Sequence, residues 1–243
     1  MIMSMWGPNM TGRPYPLDYS AGTRDSATIH FFNAVYAWMA VGLAVTASVA
    51  WLVFSHRDAM AAVFTPGAMI GIFVIQIVLV LVISAAVRSI SAPLATGLFV
   101  IYAALNGLLF SSIFYVYTMT SIAGTFGACA AMFAVMSLYG MFTKTDLTTM
   151  GKILFMALIG LVVASVINLF IASSGLYWLV SYAGVIIFAG LTAYDTQRLR
   201  GIAASTQGDA AMAARLSVSG ALMLYLDFIN MFLLLLRFMG KRK

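Results

Sequence analysis

Seven apolar runs separated by short polar links constrain what this chain can become. They cover residues 31–55, 67–87, 92–117, 120–142, 153–173, 176–197 and 216–237. Each is near the roughly 20 residues that a helix needs to cross about 30 Å of hydrocarbon. Lipid offers the backbone no hydrogen bonds, so runs of this length read as helices that satisfy their own N–H and C=O groups. The expected fold class is all-α, a polytopic membrane protein built as a seven-transmembrane-helix bundle. Composition agrees: 63% of the residues are hydrophobic, 8% are charged and mean hydropathy is +1.02, which leaves no polar exterior for a water-soluble domain.

All 7 acids are Asp, and the net charge of +6 comes from Lys and Arg gathered between the apolar runs. That clustering reports membrane orientation, not nucleic-acid binding. Residues 1–29 are polar, carry Pro8, Pro14 and Pro16, and lack the apolar core and cleavage site of a signal peptide. They are expected to form a disordered cytoplasmic tail, followed by a membrane domain over 30–238 and a basic tail over 239–243. With the N-terminus in the cytoplasm, the inner segments hold Arg13, Arg24, Arg88, Lys144, Lys152, Arg198, Arg200 and Arg215, and the outer loops before the last span hold only Arg57. The same alternation sends Arg237, Lys241, Arg242 and Lys243 outward, against the rule. Either seven full crossings force this, or the last segment re-enters and returns.

Smaller features carry bland readings. Gly124, Gly127 and Ala131 give span four a small-residue face on which a neighbouring helix is expected to pack. Tyr36, Trp38, Tyr177 and Trp178 lie near span ends and read as interfacial anchors. The single Cys129 excludes an intrachain disulfide and reads as packing. His30 and His56 flank span one, too isolated for a zinc site. The 17 Met residues are scattered filler.

Two acids stand apart. Asp195 lies near the end of LYWLVSYAGVIIFAGLTAYD, and Asp227 in the middle of ALMLYLDFINMFLLLL. A carboxylate at the centre of a membrane helix costs roughly 2.5–3.5 kcal/mol on insertion scales, so such residues face a cavity, a partner or an ion path. Asp227 lies about eleven residues into span seven, roughly 16 Å deep. Asp195 sits about one turn from the end of span six, so the two meet only if that helix continues through Arg198 or span seven is displaced. Asp195 can alternatively pair with Arg198, three residues on. Asp227 can hydrogen-bond Asn230, Asn106 or Asn168. Two carboxyl groups held together in a poorly solvated place share one proton, which makes a proton switch between attraction and repulsion. The ionised pair would offer Ca²⁺ hard oxygen ligands. Arg88, at the end of span two, either reaches a carboxylate and biases the switch toward its ionised form, or anchors the helix at the inner boundary.

With these residues in view, the chain resembles the transmembrane Bax inhibitor motif family in its bacterial branch. The resemblance runs from about residue 29 to residue 237. It rests on VYAWMAVGLAVTA, SAPLATGLFVIYAALNGLLFSSIF, LYGMFTKTDLTTMGKILFMALIGL, GLTAYDTQRLR and YLDFINMFLLLLR, in the family's order. It implies a bundle with the last helix central and a pH-sensitive calcium leak, in the bacterial cytoplasmic membrane, with Ca²⁺ as transported ion and no cofactor. It implies a di-aspartyl pair as pH sensor and gate, falling on Asp195 and Asp227, and a partner arginine falling on Arg88.

Two other functions compete. Paired aspartates on late helices also suit an intramembrane aspartyl protease, but its Gly-x-Gly-Asp string is replaced here by Leu-Tyr-Leu-Asp at 224–227 and no Pro-Ala-Leu motif follows. The expectation is that the protein is not an enzyme. A membrane-embedded modulator of a membrane protease or stress-response partner needs no pore and would use residues 1–29.

Overall fold

The computed structural model describes residues 19–243 apart from Arg88 and Gln207, with side chains from Ser26 onward. The described helices are α1 (Tyr19–Ser55), α2 (Arg57–Val63), α3 (Pro66–Ala86), α4 (Ala92–Phe110), α5 (Ile113–Val116), α6 (Met119–Phe142), α7 (Thr148–Ile171), α8 (Ser174–Ser205) and α9 (Ala210–Met239). Seven segments are long and apolar enough to cross a membrane, with α4 and α5 forming the third and α2 lying in a connection. Among the described residues there is no strand, only an isolated bridge between Tyr117 and Arg242.

Local chemistry explains where helices start. Thr65, Ser91, Thr118, Ser173 and Asp209 each accept, through a side-chain oxygen, the N–H three residues ahead, which satisfies one of the donors a first turn leaves open. Pro66 and Pro93 occupy first-turn positions, where a missing N–H is harmless. The α7–α8 turn closes on Ala172, left-handed at φ 51°, whose N–H returns to Asn168 O at 2.9 Å.

Several helices outrun their apolar sequence. α1 starts at Tyr19, inside the stretch read as a disordered tail, and α8 continues to Ser205. α9 starts at Ala210 and runs unbroken for 30 residues, about 45 Å at 1.5 Å per residue. The last segment is therefore one continuous helix, long enough to cross, with no turn inside it. These extensions persist beyond the apolar runs because they still bury side chains: Leu199 and Ala203 of α8 belong to the core. α9 packs against α1, α4, α6 and α8, and 72% of its apolar window is buried, against 0% for α7. The fully buried Tyr225 ties this packing together, because its hydroxyl meets Thr46 Oγ1 of α1 at 2.7 Å and Thr46 in turn lies 2.9 Å from Ala103 O of α4.

Two sequence expectations are corrected. Gly124, Gly127 and Ala131 are exposed, and a Cβ added at either glycine would touch nothing within 4 Å. The buried face of α6 instead carries Thr125, Cys129, Phe133, Ser137 and Gly140, a helical stripe of four-residue steps ending in one of three that the small residues obscure. Cys129 packs there as expected, its thiol 3.6 Å from Phe228 O. Tyr36 is not an interfacial anchor: its hydroxyl meets the Ser137 hydroxyl within the bundle.

Candidate functional site

α8 and α9 run antiparallel, and two close approaches set their register. Leu199 Cδ2 lies 2.6 Å from where a Gly220 Cβ would stand, and Leu234 Cδ1 lies 2.6 Å from that of Gly184. Asp195 and Asp227 fall between these approaches. Because α8 stays helical through Arg198, Asp195 and Asp227 line the same cavity and stand close enough to act on each other electrostatically. Asp227 is only 5% exposed, whereas Asp195 is partly exposed. Oδ2 of Asp227 is buried and no donor reaches it. Its carboxyl neighbour can supply one only by carrying a proton.

The string Tyr194–Arg200 distributes its side chains around α8. Asp195 and Arg198 face a cavity. Thr196 donates to Thr192 O at 2.7 Å, so the Ser137 hydroxyl, 3.1 Å away, must donate to Thr196. Tyr36 then donates to Ser137, giving a hydroxyl chain across α1, α6 and α8 that starts at the residue after Asp195. Gln197 holds the α6–α7 connection through Thr145 O and the Leu147 N–H. Arg200 donates to Met141 O at 2.6 Å, closing the end of α6.

The cavity has a volume of about 860 Å³ and lies between α7, α8 and α9. Leu191, Tyr194, Asp195 and Arg198 of α8 line it, as do Met223, Leu226, Asp227 and Asn230 of α9. Both sets follow the i, i+3, i+4, i+7 stripe of one helix face. α7 packs along α8 and stands off from α9, which leaves the space open. A second cavity of about 430 Å³ continues toward Tyr177 and Arg237 and shares Leu158, Val162, Phe188 and Asn230 with the first. Asn230 thus stands at the junction, one turn from Asp227. Among the described residues no group of three or more His, Cys, Asp or Glu could hold a metal. Two carboxyls and the Asn230 amide fall short of the roughly six to eight oxygens of a resident Ca²⁺ site.

The remaining residues singled out from sequence sort differently. Arg198 is exposed at the cavity mouth, within Coulombic range of Asp195. Asn230 Nδ2 donates to Leu226 O at 2.8 Å. Asn106 is buried away from the cavity and donates to Tyr102 O at 3.1 Å. Asn168 Oδ1 accepts the Ser173 N–H at 3.0 Å. Arg88 lies outside the described residues. Lys152 of α7, counted from sequence only as an inner charge, lines the same mouth as Arg198.

Seven membrane-length segments, with two aspartates, one of them buried, lining a crevice between the last helices, define a polytopic helical membrane protein with an acidic site in its bundle. The chain belongs to the Bax inhibitor family, matching the family described as "Inhibitor of apoptosis-promoting Bax1" over residues 28–243. It is 50% identical over 215 residues to the inner membrane protein YbhL of Escherichia coli K12, covering 88% of this chain and 92% of that one. It is 44% identical over 214 residues to an uncharacterized protein of Borreliella burgdorferi, covering 88% and 92%. An uncharacterized protein of Rickettsia prowazekii is 38% identical over 221 residues, covering 91% and 93%.

Proposed function

We propose that the protein is a pH-sensitive calcium leak channel of the bacterial cytoplasmic membrane, with its N-terminus in the cytoplasm, gated by one proton shared between Asp195 and Asp227. The observation that carries this reading is the meeting of two carboxyl groups, one of them buried, at the wall of a cavity between α7, α8 and α9. The likeness to a relative named an inner membrane protein supports the location.

The singly protonated pair ties α8 to α9 through a charge-assisted hydrogen bond, worth roughly 1.5–3 kcal/mol. Loss of the proton sets two like charges against each other, a repulsion of about 4 kcal/mol for unit charges 4 Å apart at an effective dielectric near 20. The repulsion exceeds the bond it replaces, so deprotonation parts the helices and presents oxygen ligands to Ca²⁺. Arg198 and Lys152, charged groups at the mouth, raise the barrier to entering cations. No covalent chemistry is involved.

The test is calcium-dye flux into liposomes carrying the full chain. Asp227→Asn supplies a permanent amide donor to Asp195 and should hold flux low at every pH, while Asp195→Asn should flatten the pH profile. Flux and pH dependence unchanged in both variants would overturn the gating reading.

A further inference from the structure

The second cavity combines a cation at its rim with apolar walls. Its volume of about 430 Å³ falls within the roughly 300–1,000 Å³ of ligand sites. It is a lateral crevice: Val162, Val166 and Leu169 of α7 line it and remain 53%, 49% and 81% exposed. At the rim, Arg237 in the last turn of α9 has its guanidinium carbon 5.2 Å above the Tyr177 ring. Among the described residues Arg237 has no carboxylate partner and no hydrogen bond. Asn168 lines the same cavity, and with Oδ1 committed to the Ser173 N–H, its Nδ2 donors are left for another acceptor.

The rim also lies at a recognisable depth. Tyr177, Trp178, Tyr182 and Phe238 form a continuous strip of ring contacts, with Trp178 and Tyr182 exposed. Aromatic rings of this kind mark the headgroup level of a bilayer. An unpaired guanidinium at that level requires an anion or water, and its planar fork matches a phosphate. Below it the walls are apolar apart from Ser165, whose hydroxyl is spent on Leu161 O, down to Asn230, seven residues or about 10 Å along α9.

We propose that this crevice is a phospholipid site, with the lipid phosphate held by Arg237 and Asn168 and one acyl chain lying between α7 and α9 along Val166 and Leu233 toward Asn230. Charge complementarity selects this occupant: the bilayer is the source of a phosphate joined to a hydrocarbon chain, and the crevice presents a cation above apolar walls. The site accounts for a basic residue at the membrane end where the positive-inside rule disfavours one. It stands whether or not the chain conducts calcium.

Native mass spectrometry of the full chain released from phosphatidylglycerol vesicles tests it. Wild type should retain one phosphatidylglycerol. Arg237→Gln should lower retention about tenfold, as loss of a charge-assisted pair implies. Val166→Trp, which fills the crevice and leaves the guanidinium in place, should lower it as well and keeps the test decisive if Arg237→Gln fails to fold. Retention equal to wild type in either folded variant overturns the proposal. So does a wild type that retains no lipid, or one that surrenders it to inorganic phosphate.

Discussion

Gln197 of α8 holds the head of α7 with both ends of one amide: Oε1 accepts the Leu147 N–H at 2.8 Å, and Nε2 donates to Thr145 O at 2.8 Å. Leu147 is 2% exposed and stands at the helix start without a side-chain cap of its own. This clamp matters because α7 packs chiefly along α8 and borders the crevice. Gln197→Ala removes both bonds and orphans a backbone donor, so it should cost about 1–3 kcal/mol. The expected outcome is a lower thermal midpoint in detergent, with faster hydrogen exchange at the start of α7.

Gly140 and Gly124 lie on the same helix and should respond oppositely to one methyl group. A Cβ at Gly140 would stand 2.1 Å from Ala193 O of α8, whereas one at Gly124 would meet nothing within 4 Å. Gly140→Ala must push α6 from α8 two residues before Asp195, at a cost of about 1–3 kcal/mol or more. Gly124→Ala should be neutral or gain up to about 1 kcal/mol from helix propensity. Unfolding midpoints of the two variants check the direction of each.

Much of this architecture was legible before any coordinates. Seven apolar runs match seven membrane-length segments, and the cost of burying charge singles out Asp195 and Asp227. Other features were not legible, for physical reasons. Hydropathy marks where a chain enters hydrocarbon, not where a helix stops, so continuation of α8 past Arg198 is only an open condition in the sequence and its end at Ser205 is not readable there. That extension carries Arg198 to the cavity that Asp195 and Asp227 line. A stripe of small residues states that close packing is allowed, not that a partner is present, so Gly124 and Gly127 misled while Gly140 escaped notice. The 191, 194, 195, 198 spacing of cavity residues in α8, repeated at 223, 226, 227, 230 in α9, was the available signal for Tyr194 and Met223. The roles of Gln197 and Arg200 depend on which loop lies opposite, and one chain segment does not encode that.

The basic tail is bound at its membrane end. Lys241 N–H donates to Ser121 Oγ at 2.8 Å, Thr118 N–H to Lys241 O at 3.0 Å, and Lys243 N–H to Val116 O at 3.0 Å. The tail thereby fastens α9 to the connection before α6. Removing residues 241–243 deletes these bonds, and the stability lost should be roughly 2–4 kcal/mol at about 1 kcal/mol per bond. Gly240→Val should do similar harm without shortening the chain, since a Cβ there would meet Leu236 O at 2.4 Å and the Tyr117 ring at 2.5 Å. Thermal unfolding of both variants tests the fastening.

Asp146, in the connection ahead of α7, gives a pH dependence outside the membrane spans. Hydrogen bonds from Thr148 hold its carboxyl below the ordinary carboxylate value, with a smaller Coulombic contribution from Lys152. The Thr148 N–H reaches Oδ1 at 2.9 Å. A depressed folded value means that the folded chain binds this proton less tightly than the unfolded chain. The stabilisation is thus complete above the unfolded value of about 3.9 and is lost as pH falls through the folded one. The group is fully exposed, so the effect should be local, loosening the first turn of α7 and leaving the bundle intact. In an NMR titration the Thr148 amide should shift with a midpoint below the ordinary Asp value in wild type. Asp146→Asn keeps an acceptor oxygen and should abolish the titration. A wild-type midpoint at or above the ordinary value would refute the assignment.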